Sequence, residues 1–250
     1  MDSRGLNLPE KVVRALQSAR NAAVLTGAGV SAESGIPTFR GAGGLWNNYR
    51  AEDLATPEAF ERDPELVWRW YDWRRGIIAS KTPNPGHYAL AQMEGLFENF
   101  TLITQNVDGL HAKAGNRRIL ELHGNIWRLR CIAEGTVRED HDVPLTQIPP
   151  RCQNCGAMER PGIVWFGESL EPRIIGGAFD AARKAELFIV AGTSGVVQPA
   201  AGLAGVARKA GAVVIEINLE RTPISYNADV TLTGQSGGIE SVLNLVETKV

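Results

Sequence analysis

The 250-residue chain carries 26 basic and 28 acidic side chains, a formal net charge of -2, and 44% hydrophobic residues. A chain of this length can bury roughly 70–75% of its extended surface, so a core needs no disulfide staples, and the near-balanced charge offers no bulk attraction to nucleic acid. No run reaches the roughly 18 apolar residues of a spanning helix, three cysteines cannot all pair, and no basic-apolar targeting pattern opens the chain, so the expectation is a cytoplasmic protein with no membrane partner and no direct nucleic-acid binding.

In chain order, residues 9–20 place Val12, Val13 and Leu16 at helical spacing, and Ala22 to Thr26 forms a short apolar run that ends in glycine. Pro57 to Phe60 and Pro64 to Ser80 read as helices. The second holds Trp68, Trp70, Tyr71 and Trp73, too many rings for one helix face, so it packs on two sides or lines a cleft. Further apolar runs, at Thr101–Thr104, Leu187–Ala191, Val213–Ile217 and Val230–Leu232, alternate with helix-compatible segments. That alternation predicts an α/β fold, a Rossmann-like parallel sheet with helices on both faces. Residues 128–160 differ in kind. They are poor in apolar runs, hold all three cysteines and carry Arg138-Glu139-Asp140-His141-Asp142, which fits a small inserted module held by something other than its own core.

After the first strand comes Gly27-Ala28-Gly29-Val30-Ser31-Ala32, a GxGxxA form of the dinucleotide fingerprint. Its glycines permit a tight turn and let the backbone approach a pyrophosphate near a helix end. The same residues also suit a strand-to-helix turn packed closely for structural reasons alone. The continuation from Gly35 to Trp46 is rich in glycine and polar residues and can fold over a ligand as a lid, with Phe39 as apolar shield and Arg40 as charged hand. No acid ends a second strand about 20 residues on, as the dehydrogenase pattern requires. Asn218 and Glu220 instead follow the late strand, where ribose hydroxyls can be read.

Four segments, GAGVSAESGIPTFRG from Gly27, TQNVDGLH from Thr104, LHGN from Leu122 and GTS from Gly192, together resemble the sirtuin family of NAD-dependent protein lysine deacylases, in the family's order and from about residue 10 to 248. The resemblance implies a single catalytic domain. Its Rossmann-like core would span about 9–37, 84–127 and 162–250, and a smaller zinc-binding and helical module about 38–83 and 128–161. By similarity Gly27, Ala28, Gly29, Glu33, Phe39, Arg40 and Trp46 surround NAD, Gln105 and Asn106 lie at the nicotinamide ribose, and Asp108 at the carboxamide. Gly192, Thr193, Ser194, Asn218, Leu219 and Glu220 hold the adenosine half, and Ser236 touches adenine, although GQSGG is also an ordinary glycine turn.

His123 titrates near neutrality and is suited to take a proton from a sugar hydroxyl. A lone histidine elsewhere would serve structure as readily; here the resemblance implies a catalytic one, with Asn106 and Asp108 as catalytic partners. NAD is then consumed: the acyl-lysine oxygen attacks the nicotinamide ribose, and free lysine and 2'-O-acyl-ADP-ribose are released. Acylated lysine peptides or proteins are the implied partners. The alternatives are an ADP-ribosyltransferase and a non-catalytic NAD or ADP-ribose binding module.

Tyr71 and Arg74 stand three apart, on one helix face. The YxxR spacing resembles the branch of the family that removes succinyl, malonyl or glutaryl groups, where such a pair grips the distal carboxylate. Arg74 and Arg75 could equally form a solvated basic face beside Asp72, leaving a deacetylase without acidic preference. Val164-Trp165-Phe166-Gly167-Glu168 is then expected to be the strand that pairs with the substrate peptide.

Cys152 and Cys155 form a CxxC pair followed by glycine, suited to two thiolates on one zinc. The family pattern expects a second such pair, but Glu134 stands where the partner of Cys131 belongs. Three readings stay open: zinc on Cys131, Cys152 and Cys155 with a fourth ligand from Glu134, Asp140, His141 or water; zinc bound weakly; or three reduced thiols without metal. In each the duty is structural.

Overall fold

A computed structural model describes residues 8–38, 51–234 and 237–247. In chain order the elements are α1 (Glu10–Ser18), β1 (Asn21–Thr26), α2 (Ala28–Ala32), α3 (Ala51–Leu54), α4 (Pro57–Arg62), α5 (Pro64–Ala79), α6 (Pro85–Glu94), β2 (Asn99–Thr104), α7 (Leu110–Ala114), β3 (Ile119–Glu121), β4 (Gly124–Cys131), β5 (Val137–Glu139), β6 (Glu159–Ile163), α8 (Pro172–Lys184), β7 (Leu187–Ala191), α9 (Leu203–Lys209), β8 (Val213–Asn218), β9 (Val230–Thr233) and α10 (Gly237–Glu247).

Six strands form one sheet in the order β3-β2-β1-β7-β8-β9, with every pairing parallel. Their apolar character is continuous because both faces are covered. Alternation splits it: Val24, Leu102, Ile189 and Ile215 face α1, α6 and α10, while Ala23, Leu25, Ile103, Phe188 and Val214 face α8 and α9. The small side chains of Ala178, Ala182, Ala204 and Ala207 let α8 and α9 lie close to the sheet. The parallel strands expected from the sequence are all present, joined by β3, whose Ile119-Leu120 pair is too short an apolar run to signal a strand.

From β1 the sheet grows to β2 and β3 on one side and to β7, β8 and β9 on the other. At such a switch point the loops leaving adjacent strands diverge and open a crevice at their carboxyl ends. Here those loops carry Gly27 to Gly29 and Gly192 to Ser194.

A third apolar cluster lies off the sheet. The Asp63 carboxylate caps α5 by accepting from the Leu66 amide (2.9 Å), with Pro64 in the first turn. Trp68, Trp70 and Tyr71 pack with Phe60, Ile126, Leu129 and Trp165. Trp73, the fourth ring of the run, is 52% exposed and takes no part in this packing. Beneath α5, β4 pairs antiparallel with β5 and β6 in a three-stranded sheet. Gly162 is required there, because a Cβ would stand 2.7 Å from that of Arg128.

The expected strand over Val164 to Glu168 is not formed: β6 ends at Ile163. The Val164 amide still donates to the His123 carbonyl (3.0 Å), but the chain then turns, with the Glu168 amide on the Trp165 carbonyl (3.1 Å) and Gly167 at φ +88°. The Glu168 carboxylate accepts the Trp165 amide (2.8 Å) and pairs with Arg160 (2.5 Å). The resemblance implied a strand; the glycine and the local carboxylate make a turn.

Candidate active-site cleft

A cavity of about 900 Å³ opens at the switch point. Its walls bring together Gly27, Ala28, Gly29, Gln105, Asn106, His123, Gly192, Thr193, Ser194, Asn218, Leu219 and Glu220 from the sheet's carboxyl end. Tyr71, Arg74 and Val164 to Glu168 come from the other side. Residues separated by up to about two hundred positions in the chain therefore share one cleft. Glu33 lines a smaller adjoining cavity of about 230 Å³ with Gly29, Gly192, Asn218 and Leu219. Phe39, Arg40, Trp46 and Ser236 lie outside the described residues.

The floor is backbone packed on backbone. Gly27 donates to the Ala191 carbonyl (3.0 Å) and Gly29 to the Gly192 carbonyl (2.8 Å). A Cβ on Gly29 would stand 2.8 Å from Gly192, and one on Gly192, itself at φ +60°, would stand 2.5 Å from the Val30 amide. These glycines thus serve close loop packing, one of the two uses open to them from sequence, and the same packing leaves main-chain groups at the cavity wall. Asn218 supports the neighbouring loop by donating to the Thr193 carbonyl (2.7 Å), and Gln105 donates to the Thr193 hydroxyl (2.9 Å).

His123 Nδ1 lies 3.0 Å from the Gln105 carbonyl, an acceptor only, so Nδ1 carries the proton and Nε2 is the acceptor of the neutral ring. Burial lowers its pKa, against the opposing effect of that hydrogen bond. A neutral imidazole on the cavity wall is a competent base.

Asp108 does not line the cavity. Its carboxylate accepts the Ser31 hydroxyl (2.8 Å) and the Leu110 amide (2.8 Å), and Asn106 Nδ2 donates to Ser31 (3.2 Å) and to the Gly27 carbonyl (3.0 Å). Burial raises the pKa of Asp108 despite these bonds. Behind Ser31 stands His87, whose Nε2 is 3.4 Å from the hydroxyl and whose Nδ1 accepts from the Asn84 amide (3.3 Å). Burial pushes His87 down to about 4 and His111 to about 3, so both are neutral near pH 7. Sequence reading did not single out Ser31 or His87. Asn84-Pro85 is a helix-start signal that places His87 at the third helical position, and that was the available clue.

At the other end, Tyr71 and Arg74 are both buried, Arg74 with 5% of its surface exposed and Arg75 with none, so the solvated basic face is excluded. The Arg74 guanidinium lies 4.9 Å from the Trp70 ring and 5.7 Å from the Tyr71 ring. Burial lowers its pKa, and Tyr71 and Asp108 work against that. Burial also raises Tyr71, which keeps its phenol protonated. The phenol oxygen accepts from Trp165 Nε1 (2.9 Å), leaving O–H as a donor at the cavity wall. Glu168, by contrast, is committed to the Trp165 turn and Arg160, and contributes shape rather than a free carboxylate.

Away from the cleft, one ligand atom each from Cys131, Glu134, Cys152 and Cys155 lies within 4.8 Å of all the others, and no disulfide joins the cysteines. Three sulfurs and one oxygen converging at this distance fit a tetrahedral zinc ion. Among the described residues no helix is long and apolar enough to cross a membrane.

The Sir2 family model matches residues 27–199. A NAD-dependent protein deacylase of Aquifex aeolicus is 55% identical over 230 residues, covering 92% of this chain and 96% of that one. NAD-dependent protein deacylase 2 of Pyrobaculum aerophilum is 52% identical over 224 residues, 90% of each. A solved complex of a Sir2 homologue with NAD superposes with a TM-score of 0.91 at 44% identity, over 98% of this chain and 97% of that one. A Sir2 complex with p53 peptide and NAD+ does so with a TM-score of 0.82 at 30% identity, over 96% and 97%.

Proposed function

The chain belongs to the Sir2 family and is a NAD-dependent protein deacylase, and within that activity we propose a preference for lysine acyl groups that end in a carboxylate, succinyl and malonyl, with acetyl as a lesser substrate. The buried Tyr71–Arg74 pair on the cavity wall carries the proposal. A guanidinium already stripped of most of its water, beside a phenol with an available proton, offers a carboxylate a fork of charged hydrogen bonds and a further neutral one. An acetyl group supplies nothing to meet them.

Bound NAD supplies the electrophilic ribose carbon, with nicotinamide as leaving group. Gln105 and Asn106, fixed through Thr193 and Gly27, orient the ribose end, and Asp108 acts on the nicotinamide side through Ser31 and Asn106. His123 Nε2 accepts the proton of a ribose hydroxyl. Asn218, Leu219 and Glu220 form the rim for adenosine. Val164 to Gly167 flank the acyl-lysine, and the solved Sir2 complex with p53 peptide and NAD+ supports a peptide substrate. Three cysteines free of disulfides support a cytoplasmic setting.

The experiment is a panel of succinyl-, malonyl- and acetyl-lysine peptides turned over with NAD by the parent, Arg74→Met and His123→Ala. Arg74→Met should lower kcat/KM for the acidic acyl groups by about 10–100-fold while sparing acetyl. His123→Ala should lower all three by on the order of 10²–10⁴-fold. Equal loss on every substrate in Arg74→Met, or none, overturns the preference and leaves the deacylase standing.

A further inference from the structure

We propose that Glu134 is the fourth ligand of a three-thiolate, one-carboxylate zinc site, and that this oxygen donor makes the metal more readily exchanged than four thiolates would. The argument rests on two turns. Cys131-Ile132-Ala133-Glu134-Gly135 and Cys152-Gln153-Asn154-Cys155-Gly156 have the same spacing and the same backbone. Gly135 donates to the Cys131 carbonyl (3.0 Å) and Gly156 to the Cys152 carbonyl (2.9 Å), while Cys131 donates to the Thr136 carbonyl (2.9 Å) and Cys152 to that of Ala157 (2.8 Å). The closing glycines share a left-handed conformation, φ +69° and +73°. The Glu134 amide also donates to Cys131 Sγ (3.4 Å). Glu134 therefore occupies in the first turn the place that Cys155 occupies in the second.

Two of the donor separations come close to those of a zinc site. Zinc bound to sulfur at about 2.3 Å and to oxygen at about 2.0–2.2 Å sets tetrahedral edges of about 3.5–3.8 Å. Cys131 Sγ lies 3.5 Å from Cys155 Sγ, and Cys152 Sγ lies 3.9 Å from Glu134 Oε2. The other protein ligands open from sequence are engaged elsewhere. Asp140 is held by Arg75 (2.5 Å) and Arg138 (2.7 Å), and His141 stacks on Trp127 with ring centroids 5.4 Å apart. Cys131 and Cys152 are buried while Glu134 and Cys155 are exposed, so one half of the ligand shell faces solvent. A carboxylate is a harder, less zinc-selective donor than a thiolate, and here it stands on the side from which a competing chelator arrives.

The test uses the full chain with zinc or cobalt(II) as the probe, affinity being read by competition with a chromophoric chelator and folding by circular dichroism. Glu134→Ala and the near-isosteric Glu134→Gln should each weaken zinc binding by at least about tenfold. Glu134→Cys should tighten it, slow its capture by chelator, and raise the sulfur-to-cobalt charge-transfer absorption per metal by about one third, as three thiolates become four. Unchanged zinc affinity in folded Glu134→Gln and Glu134→Ala, or an unchanged cobalt spectrum in folded Glu134→Cys, overturns the assignment. A parent chain that binds no zinc overturns it as well.

Discussion

In the parallel sheet, β1 sends Ala22 and Val24 to one face and Ala23 and Leu25 to the other, each at most 4% exposed, and helices close over both. In the three-stranded sheet a chain of charges does much of the joining. Arg138 of β5 pairs with Glu159 of β6 and with Asp140 (2.7 Å each), Asp140 also holds Arg75 of α5 (2.5 Å), and Trp68 Nε1 donates to the Glu159 carbonyl (2.7 Å). The first region is stabilised by area, which is non-directional and spread over many side chains. The second adds a few directed bonds and ligand atoms to a smaller apolar cluster of its own, so it can loosen without the first.

The largest expected effect tests the first half of that contrast. Leu25→Ala should cost about 2–5 kcal/mol in denaturant unfolding and lower every probe together, because the cavity lies in the common core. Glu159→Gln should cost less, about 1–3 kcal/mol, since Arg138 is partly exposed and keeps Asp140. Its mark is local: amide exchange should speed in β5 and β6 and stay unchanged in β1. Acceleration spread equally over both sheets would break the comparison.

The smallest effect is set by pH. Burial by itself would raise Asp140, but hydrogen bonds from Arg138 and Arg75 outweigh it and hold the carboxyl below its usual range. A depressed folded pKa gives stability that is present above the unfolded value, near 3.9, and lost as pH falls through the folded one. Trp127 fluorescence, reporting on the ring beside Arg75, should therefore change below about pH 4 while far-ultraviolet dichroism of the large sheet persists. Arg138→Met should move that change to higher pH.

The same contrast explains what was legible beforehand. Strands such as Leu187–Ala191 announce themselves because burial on two faces selects a continuous apolar run, a pattern carried within five residues. Tyr71 with Arg74, and Cys152 with Cys155, were legible because their partners are neighbours along the chain. The turn at Trp165 was not, since it depends on Glu168 folding back onto an amide and onto Arg160 across β6. Nor was the position of Asp108 behind the cavity wall, which is set by Ser31, 77 positions away. The Ser31–Asp108 bond spans too much of the chain to leave a period in the sequence, and the Trp165 turn is made by a local carboxylate-to-amide bond that no residue period announces. The likeness of the two metal-side turns is an intermediate case: CxxEG and CxxCG can be compared by eye, but only their matched hydrogen bonds make glutamate and cysteine equivalent.

The glycine floor of the cleft bears on how this enzyme could be altered. Gly27, Gly29 and Gly192 interlock with almost no room for a side chain, so the cradle is rigid before any ligand arrives and closed to variation by substitution. Changes in dinucleotide selectivity, whether by selection or by design, must be written on the rim, where Leu219 is 68% exposed and Glu220 also faces solvent.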